Sequence, residues 1–297
     1  MDEPAPRTPG SGLRGAIGSV LRRLGLHGVT VRVVSAEQKR AELRRLAGWR
    51  RALTAAIAAP ERPTLVVGSL ASDAVPVIVA LWSRPDRLDA VLDHLAAQQG
   101  CPPLRLILWN NNPEHSERYR ALLATRRPSG ALASIELQES TANLGGIARF
   151  VAARHLLVDG YSGPFITLDD DQEISSSFAA DLLAARVPGG IAGWWAFTST
   201  EDYWQRTPTA PGEPATYVGT GGAIFDTGIV TDLGFFTELP DRFGFLEDIW
   251  ACDWVVRHGG MLTKADTTIE FVQEELNQHH GLIYLKAEFV RYLAEAS

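Results

Sequence analysis

The chain has 297 residues, 45% hydrophobic and 21% charged, the balance of an ordinary soluble protein with room for one large domain and an appendage. Its net charge of −7 argues against nucleic acid as a main partner, because phosphate backbones recruit basic faces. Two distant cysteines, Cys101 and Cys252, make no disulfide framework and suit a reducing cytoplasm. No apolar run reaches the ~18 residues of a membrane helix, and the Met-Asp-Glu-Pro start lacks the basic and apolar regions of a signal peptide.

The charge is unevenly spread. Residues 1–62 hold 12 Lys/Arg against 5 Asp/Glu, while the remainder holds 16 against 30, which suggests two functional zones. Residues 1–12, rich in Pro, Gly and Ser, read as disordered. In residues 13–26, Leu13, Ile17, Val20, Leu21 and Leu24 recur at helical spacing beside Arg14, Arg22 and Arg23. Such a helix suits either packing on the domain or peripheral contact with an anionic membrane surface on the cytoplasmic side. A second basic helix is expected over 36–58, ended by Pro60 and Pro63. Residues 1–62 are therefore read as an extension, and 63–297 as the main domain.

From Thr64 or Val75 onward, apolar runs alternate with helical patterns. Strands are predicted over Val75–Leu81, Leu104–Trp109, Ser134–Leu137 and Phe165–Leu168. Helices are predicted over Pro85–Gln99, Ser116–Ala124 and Gly146–Val158. That alternation implies an α/β domain with a mostly parallel, Rossmann-like sheet flanked by helices. Ligands of such sheets bind at the carboxyl ends of the strands. The second half is less regular, with helices expected over Asp248–His258 and Leu282–Leu293.

Phe165–Leu168 runs straight into Asp169, Asp170 and Asp171, so three carboxylates are gathered at the rim of a core. Clustered like charges raise one another's pKa unless a cation compensates, and hard ions such as Mg²⁺ or Mn²⁺ want oxygen ligands and often substrate phosphates as well. On an extended segment Asp169 and Asp171 share a side, and one can bind metal while the other holds sugar or ribose hydroxyls. A helix N-cap cluster ahead of Ser175 is the plainer alternative.

A strand followed by Asp-Asp-Asp resembles the metal motif of GT-A-fold glycosyltransferases, family-two-like members in particular. The resemblance extends over about residues 76–260. The strand ending in Trp82-Ser83-Arg84-Pro85 resembles their first strand and turn. Leu106 to Asn112 resembles their second strand, whose end touches the nucleoside, and Asn143-Leu144-Gly145-Gly146 resembles their Asn-x-Gly-Gly turn. It implies a nucleotide-sugar donor, a UDP- or dTDP-sugar, held by Ser83, Arg84, Asn110, Asn111, Asn112, Asn143, Gly145, Gly146, Arg149, Asp169 and Asp170. The amides of the three asparagines suit a base or ribose edge, and a helix N-terminus after Gly146 favours a diphosphate. Asp169 and Asp171, with a late His279 or His280, are the expected metal ligands.

The same resemblance makes Glu247-Asp248 the expected source of a general base. Asp248 is the first choice, with Glu247 assisting. Asp253, four residues before Arg257, is the alternative. Gly221 and Gly222 would leave room for an acceptor, on which Trp194 and Trp195 can stack; Trp204 is a further aromatic of the same stretch. The implied activity is metal-dependent transfer of a sugar, with inversion, to a glycan, lipid-linked or small-molecule acceptor in bacterial glycan synthesis. Two rival readings keep the fold: a nucleotide-sugar mutase or nucleotidyltransferase, and a non-catalytic nucleotide-sugar or glycan-binding protein.

Overall fold

A computed structural model of the chain describes residues 27–59, 62–199, 203–272 and 282–296. The chain falls into two compact units, 1–48 and 49–297. The basic helix expected over 36–58 is present as α1 (His27–Ala58). The helix expected over 13–26 lies outside the described residues. Within the second unit, Trp49 and Leu53 are buried, and Trp49 Nε1 donates to the Leu144 carbonyl at 3.1 Å. Arg50 donates to Asp241 at 2.6 Å and to the Phe236 carbonyl at 2.7 Å. The last turns of α1 are thus tied both to the turn at Leu144 and to the segment 236–241.

The strands are β1 (Thr64–Gly68), β2 (Val75–Leu81), β3 (Leu104–Asn110), β4 (Leu132–Glu139), β5 (Pro164–Leu168), β6 (Gln172–Ile174), β7 (Ile191–Gly193), β8 (Ala196–Ser199), β9 (Arg206–Pro208), β10 (Tyr217–Val218), β11 (Ala223–Asp226), β12 (Leu262–Lys264) and β13 (Ile269–Phe271). The further helices are α2 (Leu88–Ala96), α3 (Ser116–Ala124), α4 (Ala148–Val158), α5 (Phe178–Ala185), α6 (Gly234–Thr237), α7 (Glu247–Arg257) and α8 (Ile283–Ala296). Eight strands form the main sheet in the order β1-β4-β3-β2-β5-β11-β7-β12. Its centre, β4-β3-β2-β5, is parallel, as is β7-β12; β1, and β11 on both sides, run antiparallel. This is the α/β architecture that the alternating pattern implied.

Parallel strands covered on both faces read as continuous apolar runs, and Val75 to Val79 are all buried. One face packs on Leu88, Val91, Leu92 and Leu95 of α2 and on Phe178 and Leu182 of α5. The other packs on α4 and α7, where Phe150 meets Phe225 edge-on at 5.2 Å and Trp254 meets Phe235 at 5.7 Å. Helix α2 stops at Ala96, three residues before the expected end, and its leading Pro85–Arg87 turn is 3₁₀. Several strands of the second half have only two to four residues, too short for a period-two pattern to register.

Trp49 is 5% exposed, and its ring lies where a side chain on Gly244 would stand. Trp49→Ala should therefore lower the unfolding free energy by about 3–5 kcal/mol, as large-to-small core changes do. Urea titration checks this; an unchanged midpoint would contradict the docking of α1 on the Leu144 turn.

Candidate active site

Because β2, β3, β4 and β5 run parallel, the segments that follow them meet at one edge of the sheet. After β2 comes Arg84, after β3 the three asparagines, after β4 the Asn143–Gly146 turn, and after β5 the aspartate triplet. The antiparallel β11 brings Gly219–Gly222 to the same edge, where the Gly222 N–H donates to the Thr167 carbonyl at 2.9 Å.

Strand β5 closes at Leu168, and the triplet forms the turn into β6 rather than an extended segment. Side-chain alternation therefore does not govern it. Asp170 and Asp171 share one arginine: Arg84 donates through Nη1 to Asp170 at 2.7 Å, and its Nη2 lies 3.2 Å from Asp171. Asp169 turns to Arg149, whose Nη2 donates to it. Asp169 is the most open of the three, its side chain 32% exposed against 6% and 5%. Gln172 holds the turn by accepting from Asp169 N at 3.1 Å and donating to the Gly221 carbonyl at 3.3 Å.

Arg149 is buried in the first turn of α4. It also donates to Thr220 Oγ1 at 3.0 Å and to Glu247 Oε1 at 3.2 Å, and Thr220 donates to the same Glu247 oxygen at 3.0 Å. Two glycines make this packing feasible. A Cβ at Gly146 would stand 1.8 Å from Glu247 Oε1, and one at Gly221 would stand 2.1 Å from Asp169 Oδ2.

Burial, then the Asp169 charge, pushes the Asp171 carboxyl up to about 7 against the pull of Arg84. Burial raises Asp170 too. Burial works to lower the Arg149 guanidinium, but Asp169 and Glu247 outweigh it and hold it firmly protonated. Asp170 Oδ2 is buried with no hydrogen-bond partner. Crowded, hard-oxygen carboxylates with an unsatisfied oxygen fit a divalent cation. Among the described residues no three His, Cys, Asp or Glu side chains form a ready cage, so a cation here must draw further ligands from water or phosphate. His279 and His280 lie outside the described residues.

Asn110 and Asn111 have both ends of their amides held within the protein, and Asn112 its side-chain oxygen. Asn110 donates to Ser116 Oγ at 3.0 Å and accepts from Asn112 N; Asn112 accepts from Glu114 N. Asn111 accepts from Leu144 N at 3.0 Å and donates to the Gly145 carbonyl at 3.2 Å, while Asn143 accepts from Gly145 N at 2.8 Å. Asn111 and Asn143 thus shape the Gly145–Gly146 turn, and Ser83 stands exposed beside the buried Arg84.

Glu247 and Asp248 open α7 and point to different surroundings. Burial, then the Asp248 charge, raises Glu247 to about 7 despite Arg149 and Thr220. Asp248 accepts from Tyr217 OH and from Lys286 Nζ, the latter at 3.3 Å, and Lys286 also donates to Tyr203 OH at 3.2 Å. Burial works to raise Asp248, but Lys286 and Tyr217 outweigh it, so Asp248 stays below the usual carboxylate range. Asp253 pairs with Arg257 at 2.7 Å, and no hydrogen bond among the described residues joins it to the triplet. Lys286 had no sequence signal, being a lone cation in an amphipathic helix, and nothing in the sequence paired Tyr217 with Asp248. Trp194 Nε1 donates to the Gly221 carbonyl at 2.7 Å, and Gly221 packs against Asp169, which puts Trp194 beside the triplet.

No family model matches the sequence, and no curated protein matches it. Among solved structures, the mannosyltransferase PcManGT from Pyrobaculum calidifontis, in complex with GDP-Man and Mn²⁺, superposes with a TM-score of 0.55 at 16% identity, covering 88% of this chain and 74% of that one. The fold is of the GT-A type. S. aureus TarS gives 0.45 at 14% identity over 71% of this chain and 38% of that one, and its 1–349 segment in complex with UDP gives 0.42 at 15% over 65% and 57%. The chain thus spans well under two thirds of TarS, and the fold assignment rests on the PcManGT likeness.

A carboxyl raised from 4.5 to about 7 binds a proton in the folded state that the unfolded chain has released. Its folded form is favoured while protonated, so stability falls as pH rises between those values. Metal-free Glu247→Gln should therefore lose less stability than the parent between about pH 4.5 and 7. Parallel pH slopes in thermal unfolding would contradict the buried, raised Glu247.

Proposed function

We propose that the chain is a glycosyltransferase that moves a sugar from a nucleotide-diphosphate sugar to an acceptor hydroxyl, with inversion. The observation that carries this reading is the cluster of Arg84, Arg149 and Asp169–Asp171 at the carboxyl edge of a parallel sheet of GT-A type. Such an edge is where ligands of α/β sheets bind. Two guanidiniums suit a diphosphate, and three crowded carboxylates suit a divalent cation. The mannosyltransferase that resembles this chain was solved with GDP-Man and Mn²⁺, which supports a nucleotide-sugar donor and a divalent cation. A UDP- or dTDP-sugar is the donor inferred from the sequence resemblance.

Asp169 and Asp171 would hold the cation, Mn²⁺ or Mg²⁺. When bound, it offsets charge that builds on the departing diphosphate. Arg149 and Arg84 keep fixed positive charge beneath that diphosphate with no reorganisation during the reaction. Glu247, rather than the first-choice Asp248, takes the proton of the acceptor hydroxyl. It faces the Asp169–Arg149 cluster, and a carboxyl near 7 is a better proton acceptor at neutral pH than one held low by a lysine. As that proton leaves, the hydroxyl oxygen bonds the anomeric carbon and the bond to the diphosphate oxygen breaks; in-line displacement inverts the centre. Asp248, anchored by Lys286 and Tyr217, fixes the start of α7 and so the direction of Glu247.

Donor turnover by the full chain, with UDP- and dTDP-sugars and Mn²⁺, tests this. Glu247→Gln should lower kcat by about 100-fold or more, the usual worth of a general base, with donor KM little changed. Asp248→Asn should cost less. Undiminished, metal-independent turnover by Asp171→Asn would contradict the reading. Acceptor-dependent release of nucleoside diphosphate separates transfer from a mutase.

A further inference from the structure

Arg206, in β9, differs from the other arginines of the main domain. From Arg84 to Arg291, each of the others pairs with a carboxylate or donates to a backbone carbonyl. Among the described residues Arg206 does neither. Its guanidinium lies instead against four rings, 4.9 Å from Phe197, 5.4 Å from Tyr203, 5.3 Å from Trp204 and 6.0 Å from Trp195. Phe197 and Tyr203 are buried, while Arg206 is exposed. Cation–π attraction holds a guanidinium through the ring quadrupoles, so its N–H donors stay open for another partner. A side chain held in this way is ordered before a ligand arrives, which lowers the cost of binding. The donor fork matches the paired oxygens of a carboxylate or a phosphate.

The fold sets this cation near the loop between β10 and β11. Strand β9 pairs with β8 in the small sheet β10-β8-β9, with Arg206 opposite Ser199. Strand β10 runs straight into Gly219–Gly222. The Gly219 N–H donates to the Trp195 carbonyl at 2.9 Å, and a Cβ at Gly219 would stand 3.3 Å from Trp195 Cδ1. Next in the chain, Thr220 donates to Glu247, and Gly221 packs against Asp169. Trp195, 40% exposed, therefore has Arg206 against its ring and this loop beside it. Charge narrows the chemistry further. Residues 63–297 hold 16 Lys/Arg against 30 Asp/Glu, a balance that repels anions unless a cation is locally unanswered. Lys264 Nζ lies 5.6 Å from the Trp194 ring, so a second cation borders the same pair of indoles.

Resting on the transferase reading, we propose that the acceptor is an acidic saccharide, and that Arg206 binds its carboxylate or phosphate while Trp195 takes the sugar ring. The apolar C–H face of a sugar suits an indole, and the oxyanion suits the guanidinium beside it. The hydroxyl to be glycosylated lies toward Glu247, and the oxyanion lies toward β9. A neutral sugar leaves the Arg206 fork unused.

Calorimetric titration of the full chain, with UDP and Mn²⁺ present, tests this. Glucose, galactose and mannose are each compared with their uronic acid and with the hexose phosphate esterified at the primary hydroxyl. At least one acid should bind about tenfold tighter than its neutral parent, the worth of one charge-assisted pair. That gain should shrink as sodium chloride rises from about 50 to about 500 mM. A gain confined to the uronic acids assigns a carboxylate to Arg206, and one confined to the phosphates assigns a phosphoryl group. Arg206→Gln should abolish the gain and Arg206→Lys should keep part of it, with the affinities for UDP and for the neutral sugars unchanged in both. No gain in any series overturns the proposal, as does a gain that survives Arg206→Gln or is matched by inorganic phosphate. Weaker UDP binding by Arg206→Gln also overturns it, because Arg206 would then be a donor contact. A gain that persists where UDP and Mn²⁺ fail to bind supports the anion seat and counts against the donor site instead.

Discussion

Arg149 sits at 6% exposure between Asp169, Thr220 and Glu247, and much of the surrounding structure follows from accommodating it. A buried guanidinium is tolerable only when its charge is answered. Removing it would leave two carboxylates facing each other uncompensated, a loss of about 3–5 kcal/mol by comparison with other broken buried pairs. Its partners come from the turn after β5, from the loop before β11 and from the start of α7, so one side chain ties these three segments together. The absence of side chains at Gly146 and Gly221 is a condition of that arrangement, since a methyl group at either would overlap a carboxylate.

Adjacent acids at the start of α7 show how environment divides labour between like groups. Glu247 faces the arginine cluster from a dry position, and burial raises it to about 7. Asp248 accepts from Lys286 and the Tyr217 hydroxyl and stays ionised. Environments that push neighbouring carboxyls apart in this way separate a proton acceptor from an anchor. Lys286 belongs to α8, so the last helix is joined to the start of α7 through Asp248.

The parallel half of the fold was legible because its strands are buried on both faces and read as unbroken apolar runs between amphipathic helices. The span Ser116–Ala124 was found to the residue. The antiparallel half was not, since strands of three residues such as Ile191–Gly193 carry no periodicity. At the site, the aspartate triplet was visible as carboxylates abutting a buried strand, but the side each faces was not, because the chain turns at Asp169 and alternation ends there. Asn111, expected at a nucleoside, has its amide bonded to the Leu144–Gly145 backbone. That partner is 33 residues away, and no local pattern predicts it. The choice between Glu247 and Asp248 likewise depended on Arg149 and Lys286, each distant in the chain.

On the proposed reading, the aspartate triplet and its two arginines form the site for a divalent cation and the donor diphosphate. Pulsed electron paramagnetic resonance of Mn²⁺ added with UDP addresses it directly. Phosphorus coupling to a protein-bound Mn²⁺ is expected, abolished in Asp171→Asn that remains folded. Bound Mn²⁺ without phosphorus coupling, or coupling that survives in that variant, would contradict it.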